Sequence, residues 1–218
     1  MIVLNAYSFL NLYAFNTMNK QEIATKILTQ KNGIAKTADF AVAHLSNNDI
    51  SSLCKLGVIK RIKRGIYTFP NESNLSEEQL LVSVLPQAII CVESALFYYG
   101  YSDFTPRRWS IAVPRTAIKQ VKNTELFFLK AYYIQKEFIN LGKTTGVFNG
   151  VELALYNRER TICDCFKYRT KLDNELFNKA MIAYIADDKK DLAQLAKYSK
   201  EMKIYNKVMS LMEVLLNG

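Results

Sequence analysis

"KLGVIKRIKRGIYTFP", residues 55–70, sets five cations (Lys55, Lys60, Arg61, Lys63 and Arg64) among β-branched and aromatic residues. "VIKRI" and "IYTF" favour extended backbone, because branched and aromatic side chains pack well on a pleated surface. The "KRG" between them is a short connection, with Gly65 free to take the positive φ that a tight hairpin turn needs. The stretch therefore predicts a two-stranded ribbon with Lys63 and Arg64 at its tip. Cations in that place meet phosphate or enter a minor groove. The same charge would also suit a solvated hairpin end on a protein-docking module.

Upstream, the chain supplies a helical frame for the ribbon. Ile23, Ile27 and Leu28 form an apolar stripe at helical spacing from a start near Met18, and "KNG" (31–33) stops that helix. Ile34–Lys36 reads as a short extended piece. Thr37 precedes "ADFAVAHL", where its hydroxyl can cap a second helix. Ser46 opens "SNND" with Asp49 three residues on, an acidic variant of the capping box. In the third helix this predicts, Ile50, Leu53 and Cys54 share one face. Asn47, Asn48, Ser51, Ser52 and Lys55 share the other. Gly57 ends it.

Helix, short helix, capped helix, basic hairpin: this order is that of a winged helix-turn-helix. The outer face of the third helix holds amides and hydroxyls, side chains suited to base edges and phosphates in a major groove. The expected DNA-contacting set is Thr37, Ser46, Asn47, Asn48, Ser51, Lys55, Lys60, Arg61, Lys63 and Arg64. Charge supports the same reading. The net charge is +9, and the first 70 residues hold nine cations against three acids. Residues 71–120 sum to −1 and residues 121–218 to +4. A local cationic surface points to a polyanion, most simply nucleic acid; a basic surface kept for solubility is the plainer alternative.

With half of its 218 residues apolar and only four prolines, the chain has ample core material. The opening "MIVLNAYSFLNLYAFNT" (1–17) lacks the cationic start and small-residue cleavage site of a signal peptide. It is also too short and too polar to span a bilayer, so it reads as an over-long start or a loosely packed leader, without functional weight. Residues 18–72 form the expected DNA-binding domain and 73–218 a second, mixed α/β domain with a C-terminal helical layer. The fold class is α+β.

In the second domain "EEQLLVSVLP" predicts a helix closed by Pro86, and "AIICVESALFYYG" a buried run leading into a helix that ends at Gly100. "RWSIAVPR" and "TELFFLKAYY" read as strands. "GVFNGVELALY" predicts a hairpin turning at Asn149-Gly150. "RERTICDCFKYR" begins a helical region, and three further segments to the C-terminus show helical spacing. Tyr98, Tyr99 and Tyr101 beside Gly100 read first as core and otherwise as an aromatic recognition surface; Trp109 reads as core.

Catalytic chemistry is scarce. His44 is the single histidine, no phosphate-binding or nucleophile-elbow motif occurs, and the four cysteines show no zinc spacing. The thiols are expected to be reduced, as in a cytoplasmic protein. No catalytic residue, metal or cofactor is expected. The rival reading, a metal-dependent nuclease or nucleotidyltransferase with a DNA-targeting head, needs a carboxylate cluster, for which Glu152, Asp164 and Asp173 are the candidates. The charged run from Arg158 to Arg169 reads first as a salt network, with Arg160–Asp164 pairing at i,i+4, and otherwise as a partner-contact surface.

"SALFYYGYSDFTPRRWSIAVPR" (94–115) followed by "NRERTICDCFKYR" (157–169) resembles the AbiEi antitoxin family of type IV toxin–antitoxin and abortive-infection systems. "GIAKTADF" with "LGVIKRIKRGIYTFP" is similar to that family's N-terminal winged-helix domain. The resemblance covers roughly residues 20–215; the leader matches nothing in the pattern. It implies an N-terminal domain that binds inverted repeats in the operon's own promoter and represses it. It also implies a C-terminal domain that counteracts a nucleotidyltransferase-like toxin, AbiEii, without necessarily forming a stable complex. On this reading Arg115, Arg158, Arg160, Lys167 and Arg169 belong to the antitoxin-domain surface.

Overall fold

The computed structural model describes residues 19–71, 75–124 and 126–217. The leader 1–17 and the helix start at Met18 lie outside these residues. The chain is α+β and divides into two compact units, the first ending at Val84 and the second beginning at Leu85.

In the first unit, α1 (Lys20–Gln30) is followed by β1 (Ile34–Lys36), α2 (Thr37–Val42) and α3 (Asn47–Lys55). The hairpin strands β2 (Lys60–Lys63) and β3 (Ile66–Thr68) come next, and α4 (Glu77–Val84) closes the unit. The three strands form an antiparallel sheet in the order β1-β3-β2. Ile23, Leu28, Phe40, Leu53 and Ile59 are among the residues of its core, with Phe40 edge-on to Tyr67 at 5.5 Å between ring centroids. The helix that begins at Glu77 thus groups with the first unit, whereas the expected boundary between residues 72 and 73 puts it in the second.

The second unit is built on a five-stranded mixed sheet. Its strands are β4 (Ile89–Ile90), β5 (Trp109–Pro114), β6 (Leu129–Ile134), β7 (Lys143–Phe148) and β8 (Val151–Tyr156). Their order is β6-β5-β4-β8-β7, with β5–β6 and β4–β8 parallel and the other pairs antiparallel. The β7–β8 turn is the expected one: Asn149 and Gly150 both have positive φ, and Phe148 pairs with Val151. Between β4 and β5 lies α5 (Val92–Tyr98), and between β5 and β6 the short α6 (Ile118–Lys122). After the sheet come α7 (Arg158–Lys167), α8 (Asn174–Ala186), α9 (Leu192–Glu201) and α10 (Tyr205–Asn217). Leu96, Ile162, Met181, Leu195 and Val208 join these helices to the sheet in one apolar core. Tyr101 is buried, whereas Tyr98 and Trp109 keep partial exposure. Among the described residues no helix is long and apolar enough to cross a membrane.

Candidate nucleic-acid interface

The geometry of α3 follows from its first turn. Ser46 stands at the N-cap, its Oγ accepts from the Asp49 N–H at 3.2 Å, and the Asp49 carboxylate accepts from the Ser46 N–H at 2.9 Å. The expected capping box is therefore complete. Lys20 adds a second tie, its ammonium 2.6 Å from Asp49 Oδ1, so α1 and α3 are joined at their starts. The Lys20 contact, with the Ser46 donors behind it, holds the Asp49 carboxyl down at about 2. Ile50 and Leu53 face the core, while Asn47, Asn48, Ser51, Ser52 and Lys55 are exposed.

The hairpin is held beside that helix. Gly65 has φ +83°, and its carbonyl accepts the Thr37 N–H at 3.0 Å, which fixes the turn against the start of α2. A register shift between Arg61 and Lys63 bends β2 on its way to the turn. Thr37, Asn47, Ser51, Arg61 and Arg64 consequently line one open cleft of about 690 Å³, floored by Ile50 and Tyr67. These five are half of the expected DNA-contacting set. Asn48, Lys55 and Lys60 are exposed on the same helix and strand but do not line the cleft.

Three expectations change. Thr37 is not the cap of α2; it is the helix's first residue, and the Asp39 carboxylate accepts the Lys36 N–H at 2.7 Å instead. Ser46 has its hydroxyl committed within the capping box, both accepting from the Asp49 N–H and donating to Asp49 Oδ2 at 2.7 Å. Lys63 does not stand free at the hairpin tip. Its side chain folds back to donate to the Val84 carbonyl at the end of α4, and burial, with Lys36 nearby, lowers its pKa. The tip cation is Arg64, for which no hydrogen bond or ion pair is found among the described residues.

In the second unit the five expected surface cations are not all on the surface. Arg160 is a correction: it is fully buried, with Nε 3.1 Å from Asp164 Oδ1 and Nη1 donating to the carbonyls of Phe138 and Leu141 at 2.7 and 2.9 Å. Its guanidinium also lies over the Tyr156 ring at 4.2 Å. The i,i+4 spacing correctly pairs Arg160 with Asp164, but in the interior rather than on a wet helix face. Arg158 is half-buried, bonded to Asp187 at 2.9 Å and stacked on Tyr99 at 4.6 Å. Arg169 lies over Phe177 at 4.3 Å and Lys167 over Phe138 at 5.4 Å. Of the five, Arg115, which directly follows β5, is exposed and makes no such contact among the described residues.

The carboxylates of the nuclease reading do not meet. Asp164 is buried against Arg160, Asp173 caps α8 by accepting from the N–H groups of Glu175 and Leu176, and Glu152 lies exposed on β8. Among the described residues no three histidine, cysteine or acidic side chains gather as metal ligands would. All four cysteines are unbridged. Compared with known proteins, the chain matches no family model and no curated protein.

Proposed function

We propose that the first unit is a winged helix-turn-helix that binds double-stranded DNA, with α3 as the groove-reading helix and the β2–β3 hairpin as the wing. On this reading the protein represses its own promoter in the cytoplasm, in keeping with its resemblance to the AbiEi antitoxins, and its second unit counteracts a nucleotidyltransferase-like toxin. The observation that carries the DNA reading is the single cleft between α3 and the hairpin. Asn47 and Ser51 line it from the helix and Arg61 and Arg64 from the ribbon. Amides and hydroxyls can bond base edges, and arginines can bridge phosphate oxygens in two-pronged fashion.

The test is a gel shift of the full chain on the intergenic DNA upstream of its own gene. Arg61→Ala/Arg64→Ala is expected to weaken binding to every sequence alike, whereas Asn47→Ala relaxes sequence preference. Lys63 is turned inward, so the phosphate contacts expected are those of Lys55, Arg61 and Arg64, with Lys60 on the same strand as Arg61. The slope of log affinity against log salt is then roughly −3 to −4 per bound protomer. Unchanged binding by the arginine pair variant at physiological salt would sink the wing assignment and leave a protein-docking module as the better reading.

A further inference from the structure

A second polar pocket, in the second unit, has no part in the DNA reading. It is a cavity of about 210 Å³ where the α5–β5 loop, the start of α5, β5, β6 and α8 converge. Glu93 stands at its base. The carboxylate accepts from Ser110 Oγ at 2.7 Å, from Tyr132 Oη at 2.9 and 3.0 Å, and from the Lys130 ammonium. The residue that presents Glu93 is strained. Val92 is fully buried and has φ +41°, a conformation that β-branched side chains rarely adopt. Strain of that kind persists only where the surrounding structure enforces it, and it concentrates at functional sites.

The pocket's charge does not balance. Glu93 answers one cation, Lys130, which commits one of its three donors to it. Arg107 and Arg108 line the same cavity, are exposed, and make no hydrogen bond or ion pair among the described residues. Together with Lys130 and Glu93 they leave the lining at a formal +2. A phosphate monoester carries close to two negative charges at neutral pH and offers acceptor oxygens in the geometry that arginine donors match. The cavity is small for a whole drug-sized ligand, so a phosphate would fill its interior and leave the rest of the molecule at the mouth. Phe104 lies there, 58% exposed, with the Lys179 ammonium 5.4 Å from its ring centroid. An exposed ring is a stacking platform for a base.

We infer that this pocket binds the phosphate group of a mononucleotide. Arg107, Arg108 and Lys130 hold the phosphate, and Phe104 stacks the base. Glu93 acts as a positioning residue that fixes the Lys130 ammonium.

Isothermal titration of the full chain at low salt tests this with AMP, adenosine and inorganic phosphate. AMP is expected to bind, inorganic phosphate to bind more weakly, and adenosine not to bind. Arg107→Ala/Arg108→Ala should weaken AMP roughly tenfold or more. Phe104→Ala should bring AMP down to the affinity of inorganic phosphate. Arg61→Ala/Arg64→Ala should leave AMP binding unchanged while reducing the DNA shift, which keeps the two sites distinguishable. The altered residues are exposed, and an unchanged melting curve checks that each variant folds. Absence of AMP binding, equal binding of adenosine, equal affinity for AMP and phosphate, survival of binding in Arg107→Ala/Arg108→Ala, or its loss in Arg61→Ala/Arg64→Ala would each overturn the inference.

Discussion

Arg160 is the bulkiest of the fully buried side chains, and its partner Asp164 is buried with it. Two of their atoms, Arg160 Nη2 and Asp164 Oδ2, have no hydrogen-bond partner among the described residues. Burial raises the Asp164 pKa although Arg160 pulls it down. Such a pair adds little net stability over apolar residues of similar size, but removing one member strands the other. Arg160→Met is expected to cost about 3–5 kcal/mol in denaturant unfolding, and Arg160→Met/Asp164→Leu much less. The single variant's deficit should also depend on pH. Without the guanidinium the buried carboxyl favours its protonated form still more. The variant's deficit is then smallest at acid pH, where the carboxyl is protonated in both folded and unfolded chains, and grows as pH rises from the unfolded-state pKa through the folded-state one. A pH-independent deficit would mean that lost packing, not the stranded charge, is responsible. Gly142 belongs to the same knot: a Cβ there would lie 2.5 Å from Arg160 Cβ, with φ at +72°.

Elements whose signals are local chemistry could be read without coordinates. The Ser46–Asp49 box, Gly65 at the hairpin turn and Asn149-Gly150 between β7 and β8 all depend on residues within four positions of one another, and all form as expected. Ser46→Ala is expected to cost about 1 kcal/mol and, on the proposed DNA-binding reading, to lower DNA affinity less than the Arg61/Arg64 change, since Asp49 and Lys20 still anchor the helix start. Chemical denaturation alongside the gel shift measures both effects. What remained hidden depends on distant partners. The 124–133 run reads as a strand throughout, yet β6 begins at Leu129, where pairing with Trp109 starts. The α6 helix buries none of its residues and so prints no apolar period. Lys63 reads as a tip cation because its acceptor, the Val84 carbonyl, lies 21 residues away. Arg160 reads as a surface charge because its carbonyl partners belong to an earlier loop. The Glu93 pocket escaped entirely, since its walls come from several elements and no short motif joins them.

At the scale of the molecule, each unit carries its own core and its own acid-sensitive tie. Asp49 is held at about 2 chiefly by Lys20, and Asp187 at about 2 chiefly by the Tyr101 hydroxyl, against an ordinary value of 3.8. Both pKa values are depressed in the folded state. Their contribution is therefore complete above about pH 4 and disappears as pH falls toward about 2. Asp187→Asn is expected to flatten that acid limb for the second unit, reported by the single tryptophan, Trp109, while Asp49→Asn flattens it for the first. A limb of unchanged steepness in both variants would assign acid sensitivity elsewhere.

The sheet order has a further consequence, for the newly made chain. Two-residue β4 is a seam: β5 and β6 attach to one side of it, and β8, which carries β7, attaches to the other. Ile90 meets Leu155 only after more than sixty intervening residues have left the ribosome. The first unit has all of its strands by Thr68 and its last helix by Val84, so it can mature during synthesis while the other half still waits for its stitching strand.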